Sequence, residues 1–389
     1  MAAWMGKERV SKEIEAIFPD IWKINRWLYE NPELPGEEKR AVQRLSAYLK
    51  KQGFRVEEGT SGLETAFTAV YKVGEGGPRV GFLAEYDALP EVGHGCGHNI
   101  IAASCIGAAV ALSRVLKKPA EIVVFGTPDE EYDGGKIYMA EAGVFSGMDA
   151  VMQTHILPDG TYVGGSSTPH QALVISFHGK AAHTAFNPTE GINALNALII
   201  TFNGLNALQQ SLKPGTRIPA TITNGGGAPN VVPKFTQMRI HVTTLEPDYL
   251  AEVVSKIENC ARAGGTATGA RVEVWKGPLY KKLYTNDTLT RILRKNVEAQ
   301  GYKTEDPPPA RMATDVGNVS WECPTTMCHL SLESPGLPMH SRELADATVS
   351  PKGEKMLMAA AKSMAAAALE VITDPQLLQA VRKDYGAGP

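Results

Sequence analysis

No apolar run in the 389-residue chain approaches the ~20 residues that a helix needs to span a bilayer, which points away from a membrane protein. Positive charge is not in excess either: Lys and Arg number 39 against 42 Asp and Glu, a formal net charge of −3. A nucleic-acid binder normally presents a basic face, so that class is set aside. Cysteines are few and odd in number, five spread over the whole length, which does not make a disulfide framework. Residues 1–10 lack the apolar core of a secretory leader and soon carry charged Lys7, Glu8 and Arg9. These absences together point to a reducing cytoplasm. What is present is ordinary for a globular protein, 43% apolar and 21% charged residues. The length exceeds what one hydrophobic core serves, so two domains are expected.

The pattern of elements supports an α/β fold. Residues 11–49 read as helix, interrupted by the breaker-rich Asn31-Pro32-Glu33-Leu34-Pro35-Gly36, with the second helix reaching about Lys51 before Gly53 ends it. Residues 65–73 and 79–84 read as strands, 100–116 as an Ala-rich helix and 121–126 as a buried strand. Strands that alternate with helices place sites in the crevice beyond the strands' carboxyl ends. Composition changes near Gly164-Gly165-Ser166-Ser167. From there the pattern runs strand 172–178, helix 191–210, strands 220–224 and 235–243, helix 247–263 and strand 270–275, a ferredoxin-like βαββαβ unit inserted between 1–167 and 279–389 and occupying 168–278. A helix over 353–371 covers the main sheet, and low complexity is confined to the terminal Gly386-Ala387-Gly388-Pro389.

The chemistry is concentrated in His94-Gly95-Cys96-Gly97-His98-Asn99. Cys96 and His98 stand two residues apart in a glycine-relaxed loop, where a thiolate and an imidazole reach one metal or straddle two. After the strand at 121–126 come adjacent Glu130 and Glu131; His155 follows another strand-like run, and His340 comes far later. That is a ligand set plus one spare carboxylate for a two-metal centre, whose ions sit roughly 3.5–4 Å apart around a shared anionic ligand. Cys96 can bridge, His98 and Glu131 flank it, and His155 and His340 complete the shells. If 128–131 is extended, neighbouring side chains point opposite ways, so Glu131 ligates while Glu130 faces the cleft as general base. Asp87, just past a buried strand, is placed to orient a ligand imidazole. His170, His178, His241 and His329 read as strand or loop surface.

Four motifs carry a resemblance: Glu85-Tyr86-Asp87-Ala88-Leu89-Pro90, the His94–Asn99 run, Pro128-Asp129-Glu130-Glu131 with Gly134-Gly135-Lys136, and Gly179-Lys180-Ala181-Ala182-His183. They resemble the M20 metallopeptidase family, in the branch of aminobenzoyl-glutamate hydrolase subunits, indole-acetyl-amino-acid hydrolases and dipeptidase-like proteins. Asn230-Val231-Val232-Pro233 and the stretch from Thr314-Asp315 to Ser320 are similar to the same branch. Glu85 stands where many relatives have aspartate. The resemblance implies a mixed-sheet catalytic domain with two divalent ions (Zn²⁺, Mn²⁺ or Co²⁺), and an inserted lid that makes a homodimer or higher oligomer. It implies Cys96, His98, Glu131, His155 and His340 as ligands, Glu130 as base, and His183 and Asn230 as groups that meet the substrate, His183 also steadying the oxyanion.

The reading is a metal-dependent amidohydrolase in which Glu130 deprotonates a metal-bridged water that attacks the amide of an N-acyl amino acid, an aminobenzoyl-glutamate-like conjugate or a short dipeptide. A narrow dipeptidase for β-alanyl or basic dipeptides and a catalytically silent metal-binding partner subunit are the alternatives. A redox role for Cys96 ranks last, since no second cysteine stands at useful spacing.

Overall fold

The computed structural model describes residues 2–310 and 312–386, so 387–389 of the terminal tail lie outside it. The chain opens with α1 (Ala2–Glu30), α2 (Lys39–Lys51), β1 (Arg55–Glu58), β2 (Phe67–Val73), β3 (Arg79–Glu85), α3 (His98–Val115) and β4 (Ala120–Thr127). It continues through α4 (Gly135–Glu141), β5 (Ala150–Leu157), β6 (Tyr162–Val163), β7 (His170–His178), α5 (Ala194–Gln209), β8 (Ala220–Asn224), β9 (Phe235–Thr243), α6 (Pro247–Thr268) and β10 (Arg271–Tyr280). It ends with α7 (Asp287–Glu298), α8 (Val316–Ser320), β11 (Thr325–Ser331), α9 (Arg342–Ala347), α10 (Pro351–Thr373) and α11 (Pro375–Gly386). Two compact units result among the described residues, one of 2–166, 283–309 and 314–386, the other of 167–282 with 310 and 312–313.

The first unit is built on a seven-stranded mixed sheet in the order β1-β2-β4-β3-β5-β11-β6. β4, β3, β5 and β11 run parallel, while β2 opposes β4, β1 opposes β2 and β6 opposes β11. The parallel strands are apolar on both faces because helices cover both. Val80, Phe82 and Ala84 of β3 and Ile122 and Val124 of β4 enter the larger core with α1, α3 and α10. Their neighbours Leu83, Val123 and Phe125 enter the opposite core with Met139, Phe145 and Met327. Period-2 alternation of side chains divides each strand between the two cores in this way. α3 and α10 have the length and hydropathy of membrane spans, yet both are mostly buried inside the unit, where a central helix needs the same composition. α1 starts earlier than the sequence pattern indicates and continues through Pro19.

The second unit has four strands in the order β10-β7-β9-β8, every neighbouring pair antiparallel. With α5 and α6 this is the βαββαβ order of a ferredoxin-like unit. Thr236, Met238, Ile240 and Val242 of β9 are buried under the helices, whereas Arg239 and His241 on the same strand face solvent. β10 runs on to Tyr280, so Pro278, where the sequence pattern places the domain boundary, lies inside a strand with a register shift between Lys276 and Leu279.

Candidate metal centre

Four parallel strands end on one edge of the first unit's sheet, and the chemistry-bearing residues gather there. β3 ends at Glu85, with Asp87 just beyond it; β4 delivers Glu130 and Glu131; β5 carries His155 near its end; His340 follows β11. The His94–Asn99 run closes the arrangement by turning into α3 through Gly97. Gly97 adopts φ 78°, and a Cβ there would lie 2.0 Å from Ile156 Cδ1. A left-handed turn under a buried isoleucine admits no side chain. Gly97→Ala is therefore expected to lower stability by roughly 2–4 kcal/mol, from backbone strain plus overpacking. Urea denaturation of both metal-free proteins measures this, and a change under about 0.5 kcal/mol would refute the packing argument.

The five expected ligands and Glu130 come together. Cys96 Sγ lies 3.5 Å from His155 Nε2. His340 Nε2 lies 3.6 Å from Glu131 Oε1, which is itself 3.9 Å from His98 Nε2. Donor atoms of Cys96, His98 and His155 all fall within 4.8 Å of one another, and so do those of Cys96, Glu131 and His340. Cys96 thus belongs to two donor triads at once.

Asp87 organises this cluster. Its Oδ1 accepts a hydrogen bond from His98 Nδ1 at 2.9 Å, and its Oδ2 accepts one from the Glu131 N–H at 3.1 Å. With Nδ1 donating, Nε2 is the nitrogen turned to the centre, and its lone pair becomes available to a cation once its proton is lost. Burial alone would raise the Asp87 carboxyl, but the His98 imidazole beside it holds it below the usual carboxylate range. The His155 ring is fixed in the same manner, Nδ1 facing the Ile156 carbonyl at 2.8 Å. His340 sits in a left-handed conformation, φ 57°, and its N–H donates to the Gly95 carbonyl at 3.0 Å, tying the late histidine to the Cys96 loop.

Three sequence expectations are corrected. Residues 130–133 form a turn rather than an extended segment, entered through Asp129 at φ 56°. Strand alternation does not apply within a turn, and the carboxylates do not diverge: Glu130 Oε2 and Glu131 Oε1 lie 4.0 and 3.9 Å from the same His98 Nε2. His155 does not follow the strand but lies within it, in β5, paired with His329 of β11. His329 in turn is no surface residue. Its ring stacks on Tyr162 at 4.4 Å and lies 5.6 Å from His155, so it packs beneath the centre.

Several residues escaped the sequence reading. Glu38, fully buried, accepts the Asp129 N–H at 2.9 Å and so anchors the turn that carries Glu130. Burial, and then the neighbouring Asp87, push its carboxyl up to about 7. Lys136 is fully buried with its ammonium 2.6 Å from Glu85 and 2.8 Å from Asp315. Burial would lower this ammonium's pKa, but Asp315, Glu85 and Glu130 outweigh it and keep the charge. For Glu130, burial first and then the like charges of Glu85, Asp315 and Glu131 push the carboxyl well above the usual range. The available signal was a charged residue closing an apolar strand, Glu85, and a lysine directly after Gly134-Gly135 in an otherwise apolar stretch.

The donors suit divalent cations. His98 Nε2, Glu131 Oε1 and Glu85 Oε2 are buried without a hydrogen-bond partner, although they face one another. Leaving such atoms unpaired costs about 1–3 kcal/mol each, more when charged, and a cation among them removes that cost. One thiolate, three imidazoles and carboxylate oxygens form a borderline-soft set that Zn²⁺, Mn²⁺ or Co²⁺ can use.

His183 and Asn230 belong to the second unit, where their segments run side by side. His183 pairs with Val231 in a β-bridge, and the Asn230 carbonyl accepts from the Thr184 N–H at 3.1 Å. His183 Nδ1 accepts the Ala185 N–H at 3.1 Å, which leaves Nε2 as the protonated nitrogen when the ring is neutral.

A mixed sheet with this cluster at its carboxyl edge defines the class as a metal-dependent hydrolase of amide bonds. Residues 81–370 match the model of peptidase family M20/M25/M40, and the chain belongs to that family. It is 33% identical over 398 residues to mouse Xaa-Arg dipeptidase, covering 97% of this chain and 92% of that one. It is 26% identical over 457 residues to a p-aminobenzoyl-glutamate hydrolase subunit of Escherichia coli, covering 97% and 94%. The fold is similar to that of a dinuclear metal-binding M20 peptidase from Bacillus subtilis, at TM-score 0.66 and 22% identity over 92% of this chain and 99% of that one.

Proposed function

We propose that the chain is a two-metal amidohydrolase of small substrates, cleaving short dipeptides, N-acyl amino acids or aminobenzoyl-glutamate-like conjugates. The observation that carries this is the sharing of Cys96 between two donor triads, Cys96–His98–His155 and Cys96–Glu131–His340. A thiolate common to both triads is suited to bridge a pair of ions. Bound there, the ions supply Lewis acidity and lower the pKa of water. The protein's own groups do the rest. Glu130, the carboxylate left out of the two triads, takes a proton from the attacking water and returns it to the leaving nitrogen. Asp87 keeps His98 oriented and in the correct tautomer. His183 and Asn230 meet the substrate, and the His183 Nε2–H steadies the developing oxyanion.

The relative named as an Xaa-Arg dipeptidase spans nearly the whole chain, which favours dipeptides with a basic C-terminal residue over the other candidates. Self-association is proposed to run through the second unit. Its edge strand β8 exposes Ile222 beside an unpaired strand edge, and α5 exposes Ile199 and Ile200.

The test is a panel of dipeptides ending in Arg, Lys or neutral residues, N-acyl amino acids and aminobenzoyl-glutamate, assayed with Zn²⁺, Mn²⁺ or Co²⁺, alongside the sedimentation mass. Cleavage of at least one member by a self-associated chain is the expected result. Metal-loaded protein that binds panel members yet hydrolyses none would favour the silent partner subunit instead.

A further inference from the structure

The hydrolytic reading leaves one buried charge without a task. Lys136 is fully buried and its ammonium sits 2.6 Å from Glu85 Oε1 and 2.8 Å from Asp315 Oδ1. The Lys136 N–H also donates to Asp315 Oδ2 at 3.0 Å, so one carboxylate grips both the backbone and the side chain of the same lysine. Carboxylate oxygens of Glu85, Glu130 and Asp315 lie within 4.8 Å of one another. Glu85 is about 1% exposed, and its second oxygen, Oε2, has no hydrogen-bond partner and lies 3.6 Å from His98 Nε2. An all-oxygen set of three carboxylates is the hard donor set of Mg²⁺, Mn²⁺ or Ca²⁺. It stands next to the sulfur and nitrogen donors, with Glu130 facing both.

We propose that Lys136 is a positioning residue whose ammonium is the resident cation of the Glu85–Glu130–Asp315 cage. By holding that place it keeps Glu85 and Asp315 from repelling Glu130 out of line. It also confines divalent ions to the Cys96, His98, Glu131, His155 and His340 donors. The second role has a definite consequence. Three close carboxylates stripped of their ammonium attract a cation from solution, and a divalent ion fits where the ammonium was.

This rests on the two-metal reading, and the experiment separates the two. Full-length wild type, Lys136→Arg, Lys136→Met and the double variant Lys136→Met/Glu85→Gln are titrated with Mn²⁺, counting bound ions by equilibrium dialysis and electron paramagnetic resonance. Wild type and Lys136→Arg are expected to saturate at two ions per chain even in millimolar Mn²⁺. Lys136→Met is expected to take up a third, and the added Glu85→Gln to weaken that third ion at least tenfold. Lys136→Met that stays at two ions, or a third ion untouched by Glu85→Gln, overturns the proposal. So does a wild type that itself binds three, a result that stands even if Lys136→Met does not fold. Wild type that binds fewer than two ions overturns the two-metal reading, and this proposal with it.

Discussion

Glu130→Gln is expected to lower kcat by on the order of 10⁴ while the protein keeps its full complement of metal. Glutamine preserves the size of the side chain and removes only the ability to accept and release a proton. General acid–base groups contribute roughly 10²–10⁴ in rate, and Glu130 is asked to act twice, first on the attacking water and then on the leaving amine. A Glu130 carboxylate oxygen falls within 4.8 Å of donor atoms of Glu85 and Asp315 and likewise of His98 and Glu131, and Glu130 Oε2 stands 4.0 Å from His98 Nε2. Burial and three neighbouring carboxylates raise its pKa above the ordinary range. Cations bound nearby would oppose that rise. The sign of the pH dependence follows. Activity requires the ionised carboxylate, so kcat/KM falls as pH drops through the Glu130 pKa, and that acid limb should vanish in the glutamine variant. Turnover above a tenth of wild type, measured with metal content matched, would remove Glu130 from the proton path.

The grouping of these candidate residues could be read along the chain because a metal centre would restrict residue type and position together. Cys96 and His98 announce themselves by spacing inside a glycine-rich loop, and Glu130 and Glu131 by following a buried strand. The fold was readable for a related reason. Strands buried on both faces, such as β3 and β4, are apolar runs, whereas β9 of the second unit alternates apolar and polar residues. The electrostatic support was not readable. Lys136 and Asp315 are 179 residues apart, and Glu38 reaches Asp129 across 91. Neither pair has a local periodicity to betray it, since each is created by strands and helices meeting at one edge of the sheet. The orientation of Glu130 differs from the sequence expectation for a local reason: the left-handed Asp129 turns the chain where strand alternation would need it extended.

Removing the sulfur proposed to be shared should cost metal as well as activity. In Cys96→Ala the bound metal is expected to fall from two ions per chain to one or none, with activity down at least a hundredfold at any metal supply that leaves wild type saturated. Burial pushes the Cys96 thiol well above its ordinary pKa, and in the metal-free protein it is therefore protonated at neutral pH. A cation binds the thiolate, so uptake must expel that proton. His98 reinforces the effect. Burial alone would disfavour its charge, but Asp87 raises its pKa well above the usual value, so the apo ring is protonated and must also lose a proton to ligate. Metal affinity of wild type should therefore rise with pH, by about tenfold per pH unit for each proton released. Cys96→Ala should show a shallower slope, by one proton. Calorimetric titration in buffers of different ionisation enthalpy counts those protons directly, independently of catalysis. An unchanged proton count in the alanine variant would mean that Cys96 does not enter the coordination shell. The two Cys96 triads would then have to be abandoned as the frame of the centre.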